Sequence, residues 1–285
     1  MQQEKIEKKL IKSWQILAKN WNLLGSPGRP SKNEIKTYRQ ACEMALKGKK
    51  KARALVMGST PEIRDILAGY KNTQTVIVDN LLDMMLGMTE VMKKKNENEI
   101  WVKSDWTKAP FPENYFDIIL ADWTSGNLPF DKQPAYYSNT SKWLKKTGLC
   151  AEKTMGFKKE ELPMTMNELN DYCEGKKISK DLCILFWECG MFYLDPPVGR
   201  IVRVSLFKKR LAEYIKNNPK SISAKILKQS SSIYPTNKIW FIPTEKNLDQ
   251  IVKKYFKIVN KVYDSAMNMP DLYKRMGAIY YMTKK

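Results

Sequence analysis

Apolar and polar positions along this chain follow two alternating rhythms. Short continuous apolar runs at 53–57, 75–78, 100–103, 116–122 and 149–153 read as strands. The fourth is apolar almost throughout, as a central parallel strand requires. Between them the apolar positions take helical spacing. One such stretch follows Asp79 and is rich in methionine (Met84, Met85, Met88, Met92), read as adaptable packing; another runs through Tyr136 and Trp143. Strand–helix alternation of this kind predicts a doubly wound α/β layer structure with a parallel sheet.

Helices are predicted ahead of the sheet. Residues 4–24 place Ile6, Leu10, Ile11, Trp14, Leu17, Ala18 and Trp21 at three- and four-residue spacing, and the breaker-rich segment 25–30 ends that pattern. Trp14 and Trp21 read as core contacts against the sheet. Ser31 then caps a second helix, with Glu34 in capping-box register, which carries Ile35, Tyr38, Cys42, Met44 and Ala45 up to Gly48. After the fifth strand comes a long segment, 156–243, read as helices at 159–174, 180–189, 201–217 and 221–229. The turn 193–200 within it either lines a pocket or joins two helices. A helix at 244–254 and strands at 256–263 and 278–282 close the chain. The expected organisation is a helical extension (1–50), a core (51–155), a helical insertion over the strand ends that chooses the substrate (156–243), and a return to the core (244–285).

The chemistry concentrates where strands end. Gly58-Ser59-Thr60-Pro61-Glu62 follows the first strand; Thr60 suits an N-cap and Pro61 a first helical position, leaving free N–H groups toward a ligand. Asp79, followed by Asn80, closes the second strand. Its separation from Gly58 is near the ~20 residues that set an acid on the ribose of a nucleotide-like cofactor. Asp105-Trp106 and Asp122-Trp123 end the third and fourth strands. Carboxylates and aromatic faces both favour a bound cation. Core packing is the alternative for each tryptophan, and a turn cap for Asp79. Candidate substrate contacts are Arg29 in the breaker segment, Tyr38, and Lys153 at the end of the fifth strand; a surface arginine and a snorkelling lysine are the plainer readings.

Composition narrows the chemistry. The 285 residues contain no histidine, which removes Ser-His-Asp and Cys-His catalysis and histidine-ligated metals. Five cysteines at irregular spacing form neither a disulfide framework nor a zinc pattern, and point to a reducing cytoplasm. No apolar run approaches the ~20 residues that span a bilayer, and residues 1–9 have no apolar signal region. The formal charge of +20 fits either a polyanionic partner or lysine-rich solvated faces.

Taken together, these strand-end motifs resemble those of the class I S-adenosylmethionine-dependent methyltransferases, over 52–154. Gly58-Ser-Thr-Pro-Glu62 is similar to the family's glycine loop, with Thr-Pro-Glu in place of further glycines. The resemblance gives Asp79 the ribose, Asp105 and Trp106 the adenine, and Asp122 and Trp123 the side of the transferred methyl. Leu144-Lys-Lys-Thr-Gly148 resembles the turn before the fifth strand. The fold implied is a Rossmann-like seven-stranded sheet, its seventh strand antiparallel, with a helical N-terminal extension and a helical insertion after the fifth strand. The cofactor implied is S-adenosyl-L-methionine (SAM), with no metal. With no histidine, Asp122 is the candidate base, or no base is used. Methylation of oxygen, including carboxylate oxygen, on a small-molecule or peptide acceptor of anionic character is favoured. Two alternatives remain: an RNA methyltransferase, although no Asn-Pro-Pro-Tyr or Pro-Cys motif is present, and a non-catalytic binding protein on the same scaffold.

Overall fold

The computed structural model describes residues 18–25, 28–156, 165–193, 201–230, 234, 236–264 and 277–285. In chain order the strands are β1 (Ala52–Met57), β2 (Thr73–Asp79), β3 (Glu99–Lys103), β4 (Phe116–Asp122), β5 (Leu144–Met155), β6 (Ile201–Arg203), β7 (Ile239–Phe241), β8 (Phe256–Tyr263) and β9 (Gly277–Lys284). The helices are α1 (Lys32–Leu46), α2 (Pro61–Leu67), α3 (Leu82–Val91), α4 (Gln133–Trp143), α5 (Met166–Cys173), α6 (Lys180–Tyr193), α7 (Val204–Asn217), α8 (Ile222–Gln229) and α9 (Glu245–Tyr255).

Two compact units divide the chain: Pro30–Lys159 with Pro243–Lys285, and Met1–Arg29 with Glu160–Ile242. The first holds a seven-stranded sheet in the order β3-β2-β1-β4-β5-β9-β8. Strands β1 to β5 run parallel, and β9 pairs antiparallel with both β5 and β8. The winding reverses between β1 and β4, which is where open α/β sheets bind ligands.

Strand alternation fills both faces of the sheet. Val56, Ile77, Ile118 and Leu120 point into a cluster with Tyr38, Ala41 and Cys42 of α1. Leu55, Met57, Val78 and Ile119 point into another, with Tyr136 and Tyr137 of α4 and Leu248 and Val252 of α9. Helix α1 is held at its start by the expected capping box between Ser31 and Glu34. It belongs to the sheet's own unit.

Segment 144–148 is strand, not the turn expected from its Lys-Lys-Thr-Gly composition. Leu144 pairs with Phe116 across a register shift, and Lys145 is anchored to Asp117 at 2.9 Å. Gly148 fits closely there: an added Cβ would lie 2.7 Å from Leu144 Cδ1 and 3.1 Å from the Asp117 carbonyl, so the leucine side chain would have to shift.

In the second unit the insertion is not wholly helical. Ile201–Arg203 forms a two-stranded antiparallel sheet with Ile239–Phe241, so the expected helix over 201–217 begins only at Val204. The β-branched pair Ile201 and Val202 suits strand pairing better than a helix start. Phe186, Trp187 and Phe207 make this unit's aromatic core, with Trp187 and Phe207 centroids 5.5 Å apart. Trp21 is buried and clusters with this unit, not with the sheet as expected. Trp14 and the turn residues 194–200 lie outside the described residues.

Candidate active site

Because β1, β2, β3 and β4 are parallel, their C-terminal ends open at one edge. Gly58 leaves β1 with φ +93°, a left-handed conformation that disfavours any Cβ. An added Cβ would find only Thr124 Oγ1, at 3.8 Å, so the requirement is conformational and the space beyond is open. The Gly58 N–H donates to the Val78 carbonyl at 2.8 Å. Ser59 Oγ donates to Asp79 Oδ2 at 2.9 Å, and the Leu81 N–H donates to Asp79 Oδ1 at 3.1 Å. The Ser104 N–H donates to the Asp79 carbonyl at 3.0 Å, and Trp106 Nε1 donates to Val78 at 2.9 Å. Three loops are thereby stitched around one buried acid, with the Trp106 ring seated against the end of β2.

The remaining residues of this half divide. Thr60 and Glu62 are buried beside Gly58, but Thr60 makes no side-chain cap hydrogen bond to α2, contrary to the capping expectation. Asn80 and Asp105 are exposed at the rim. Asp105 Oδ1 accepts from the Thr107 N–H at 2.7 Å and from its hydroxyl at 2.8 Å, which fixes the turn that carries Trp106.

The other half lies across β4 and β5. Trp123 has φ +58° and is buried; its N–H donates to the Lys153 carbonyl at 3.0 Å. A bulky residue in the left-handed region costs about 1–2 kcal/mol and persists only where its surroundings fix it. Lys153 Nζ is 2.8 Å from Glu34 Oε2, 3.8 Å from Asp122 Oδ1 and 5.5 Å from the Trp123 ring centroid. Burial pushes the Asp122 carboxyl up to about 7, with Lys153 drawing it down and Glu34, Glu62 and Glu152 adding to the rise. Its Oδ1 is buried and accepts no hydrogen bond.

Two proposed substrate contacts are corrected by burial. Lys153 does not snorkel; it is 1% exposed and ion-paired inside the unit. Tyr38 is completely buried, its hydroxyl donating to the Ala121 carbonyl at 2.6 Å and accepting from the Lys153 N–H at 3.2 Å. Neither offers surface to a substrate. Arg29 is half-buried in the other unit, donating to Asn22 Oδ1 at 3.4 Å.

Sequence reasoning missed Glu34, whose capping role masks its second use, and Thr124, whose Oγ1 donates to the Met57 carbonyl at 2.8 Å. It also missed Glu152, although a carboxylate inside an apolar strand run was a visible signal.

A nucleoside-bearing cofactor fits these residues: an open cradle at Gly58, a fixed acid at the β2 end, and at the β4 end a buried carboxylate oxygen that accepts no hydrogen bond. Among the described residues, no cluster of His, Cys, Asp or Glu could hold a metal ion.

Residues 73–151 match a family model described as a methyltransferase domain. A search of curated proteins finds no match. Among solved structures, the chain is similar to the CcbJ methyltransferase of Streptomyces caelestis (11% identity, 96% of this chain and 98% of that one, TM-score 0.56). A putative Zn-dependent alcohol dehydrogenase of Rhodobacter sphaeroides aligns at 14% identity over 97% and 99%, with TM-score 0.55. A SAM-dependent methyltransferase of Methanosarcina mazei aligns at 12% over 83% and 93%, with TM-score 0.50. At such identities the likeness is one of fold. The strand order is that of the class I methyltransferase fold. Residues 73–151 are thus a methyltransferase domain by the family model, on a fold shared with SAM-dependent methyltransferases.

Proposed function

We propose that this enzyme methylates a small-molecule or peptide acceptor, with oxygen the favoured atom and a carboxylate oxygen among the candidates. The observation that carries the site assignment is the Asp79 carboxylate, held between Ser59 Oγ and the Leu81 N–H at the end of β2. In this reading Asp79 and Asn80 take the ribose, Gly58, Ser59, Thr60 and Glu62 the amino-acid end, Asp105 and Trp106 the adenine, and Asp122 and Trp123 the methyl-bearing end. Bound there, SAM supplies an activated methyl group. The chain's own contribution is alignment, which alone supplies much of the rate of an in-line displacement.

The candidate for proton removal is Asp122. With no histidine in the chain, a carboxyl raised to about 7 is suited to accept an alcohol or phenol proton, and Asp122 has that property. A carboxylate acceptor would need no base. The insertion, 156–243, is proposed to select the acceptor. The five cysteines, all free and buried, support a reducing compartment such as the cytoplasm. Among the described residues no helix is long and apolar enough to cross a membrane.

The +20 charge supports a second reading, methylation of RNA. Incubating the protein with methyl-labelled SAM and cell extract, then treating portions with nuclease or protease, separates the two. Label in the small-molecule or protease-sensitive fraction supports the first reading; nuclease-sensitive label overturns it.

A further inference from the structure

Glu152 is completely buried near the C-terminal end of β5 and takes part in none of the cofactor contacts above. It precedes Lys153 and so faces the opposite side of the sheet. Its Oε1 accepts the Ser125 N–H at 3.2 Å. Ser125 lies just past Asp122 and Trp123, in a segment fixed at several points. Thr124 Oγ1 donates to Met57, Asn127 Nδ2 to the Trp123 carbonyl at 2.7 Å, and Gln133 Nε2 to the Ser125 carbonyl at 3.2 Å. Those tethers are neutral, whereas Glu152 brings a carboxyl group to the segment that bears the left-handed Trp123.

The surroundings of Glu152 are poorly matched to a purely structural role. Tyr136 and Tyr137 face it from α4, Tyr280 opposes it from β9, Cys150 shares its strand face, and Asp122 acts on it from β4. Both α4 tyrosine hydroxyls and the Ser125 side chain lie close enough to favour the charged carboxylate, although Glu152 Oε2 and the two tyrosine hydroxyls fall short of fully formed hydrogen bonds. Burial pushes the carboxyl up to about 7, with Ser125, Tyr136 and Tyr137 drawing it down.

We propose that Glu152 is a positioning residue for cofactor binding: by holding the Ser125 amide it keeps Asp122 and Trp123 set toward the methyl-bearing end of SAM. The proposal rests on the assignment of Asp122 and Trp123 to that end. The test compares wild type, Glu152→Gln and Glu152→Leu by calorimetric titration with SAM and by urea denaturation of the same samples, on either side of about pH 7.

Glu152→Leu, which leaves the buried Ser125 N–H without its acceptor, should lose some stability and bind SAM about tenfold more weakly, the equivalent of one lost amide tether. Glu152→Gln, which keeps a neutral acceptor for the Ser125 N–H, should restore most of the affinity. Glu152→Leu binding SAM as tightly as wild type would overturn the proposal. So would stability and affinity falling together in both variants. If Glu152→Leu does not fold, Glu152→Ala takes its place in the same comparison, and wild-type affinity in that variant overturns the proposal equally. Wild type that binds no SAM is a different failure, that of the site assignment, and the wild-type titration alone reveals it.

Discussion

Lys153 Nζ and Glu34 Oε2 lie 2.8 Å apart, with side chains only 1% and 9% exposed. The contact joins α1 to the end of β5, beside Asp122. Glu34 also accepts the Ser31 N–H at 2.8 Å, and Ser31 Oγ in turn donates to Asp264 Oδ2 just after β8. Burial works against the charge on Lys153, but Glu34 and Asp122 outweigh it and hold the amine above its usual range. The lysine is therefore a buried cation serving two carboxylates at the corner of the site.

Removing that cation should be costly. Breaking a buried pair from one side costs about 3–5 kcal/mol, so Lys153→Met should lower stability by that order in urea denaturation. Adding Glu34→Gln should recover a large part, because the amide still accepts the Ser31 N–H without a bare charge. Strictly additive losses in the double variant would contradict the pairing.

Stability should also respond to pH in an unusual direction. Asp122 and Glu152 are each raised to about 7 by burial, against roughly 4 in an unfolded chain. The folded protein retains those protons to higher pH. Their contribution is thus full below about 4 and declines as pH rises toward about 7. Asp117 does not interfere in this window: burial tends to raise it, but hydrogen bonds from Lys49 and Lys145 bring it below its usual value. Denaturation midpoints should therefore be lower near pH 8 than near pH 5, and an Asp122→Asn, Glu152→Gln double variant should lose that slope. If Asp122 is the base, transfer to a protonated acceptor rises through about pH 7.

Gly58→Ala probes the glycine loop. The site has space for the methyl group but not the conformation. Left-handed backbone costs about 1–2 kcal/mol for a residue with a Cβ. The expected outcome is a folded protein with weaker SAM affinity, measured by calorimetry. Unchanged affinity would mean that the loop does not need the φ of +93° to hold the cofactor.

Much of the sheet was legible because its strands are continuous apolar runs; β4 and β8 were read with their observed ends. The missing parts share a physical cause: each is set by a partner distant in sequence. The start of β5 is polar and is strand only because Phe116 and Asp117 pair with it. Strand β6 exists because Ile239–Phe241 lies alongside it. Lys153 and Tyr38 looked like surface candidates because nothing local reveals that α1 covers the ends of β4 and β5. Glu34 was hidden by doing two things, capping α1 and pairing with Lys153.

The Asp79 carboxylate tests the account most directly. Calorimetric titration of SAM into wild type and Asp79→Ala compares the site with and without the acid that Ser59 and Leu81 hold in place. Wild type should bind SAM, and Asp79→Ala should bind it at least about tenfold more weakly, given the cost of losing a charge-assisted hydrogen bond. Equal affinity in the two proteins would contradict the assignment of the cofactor to this edge of the sheet.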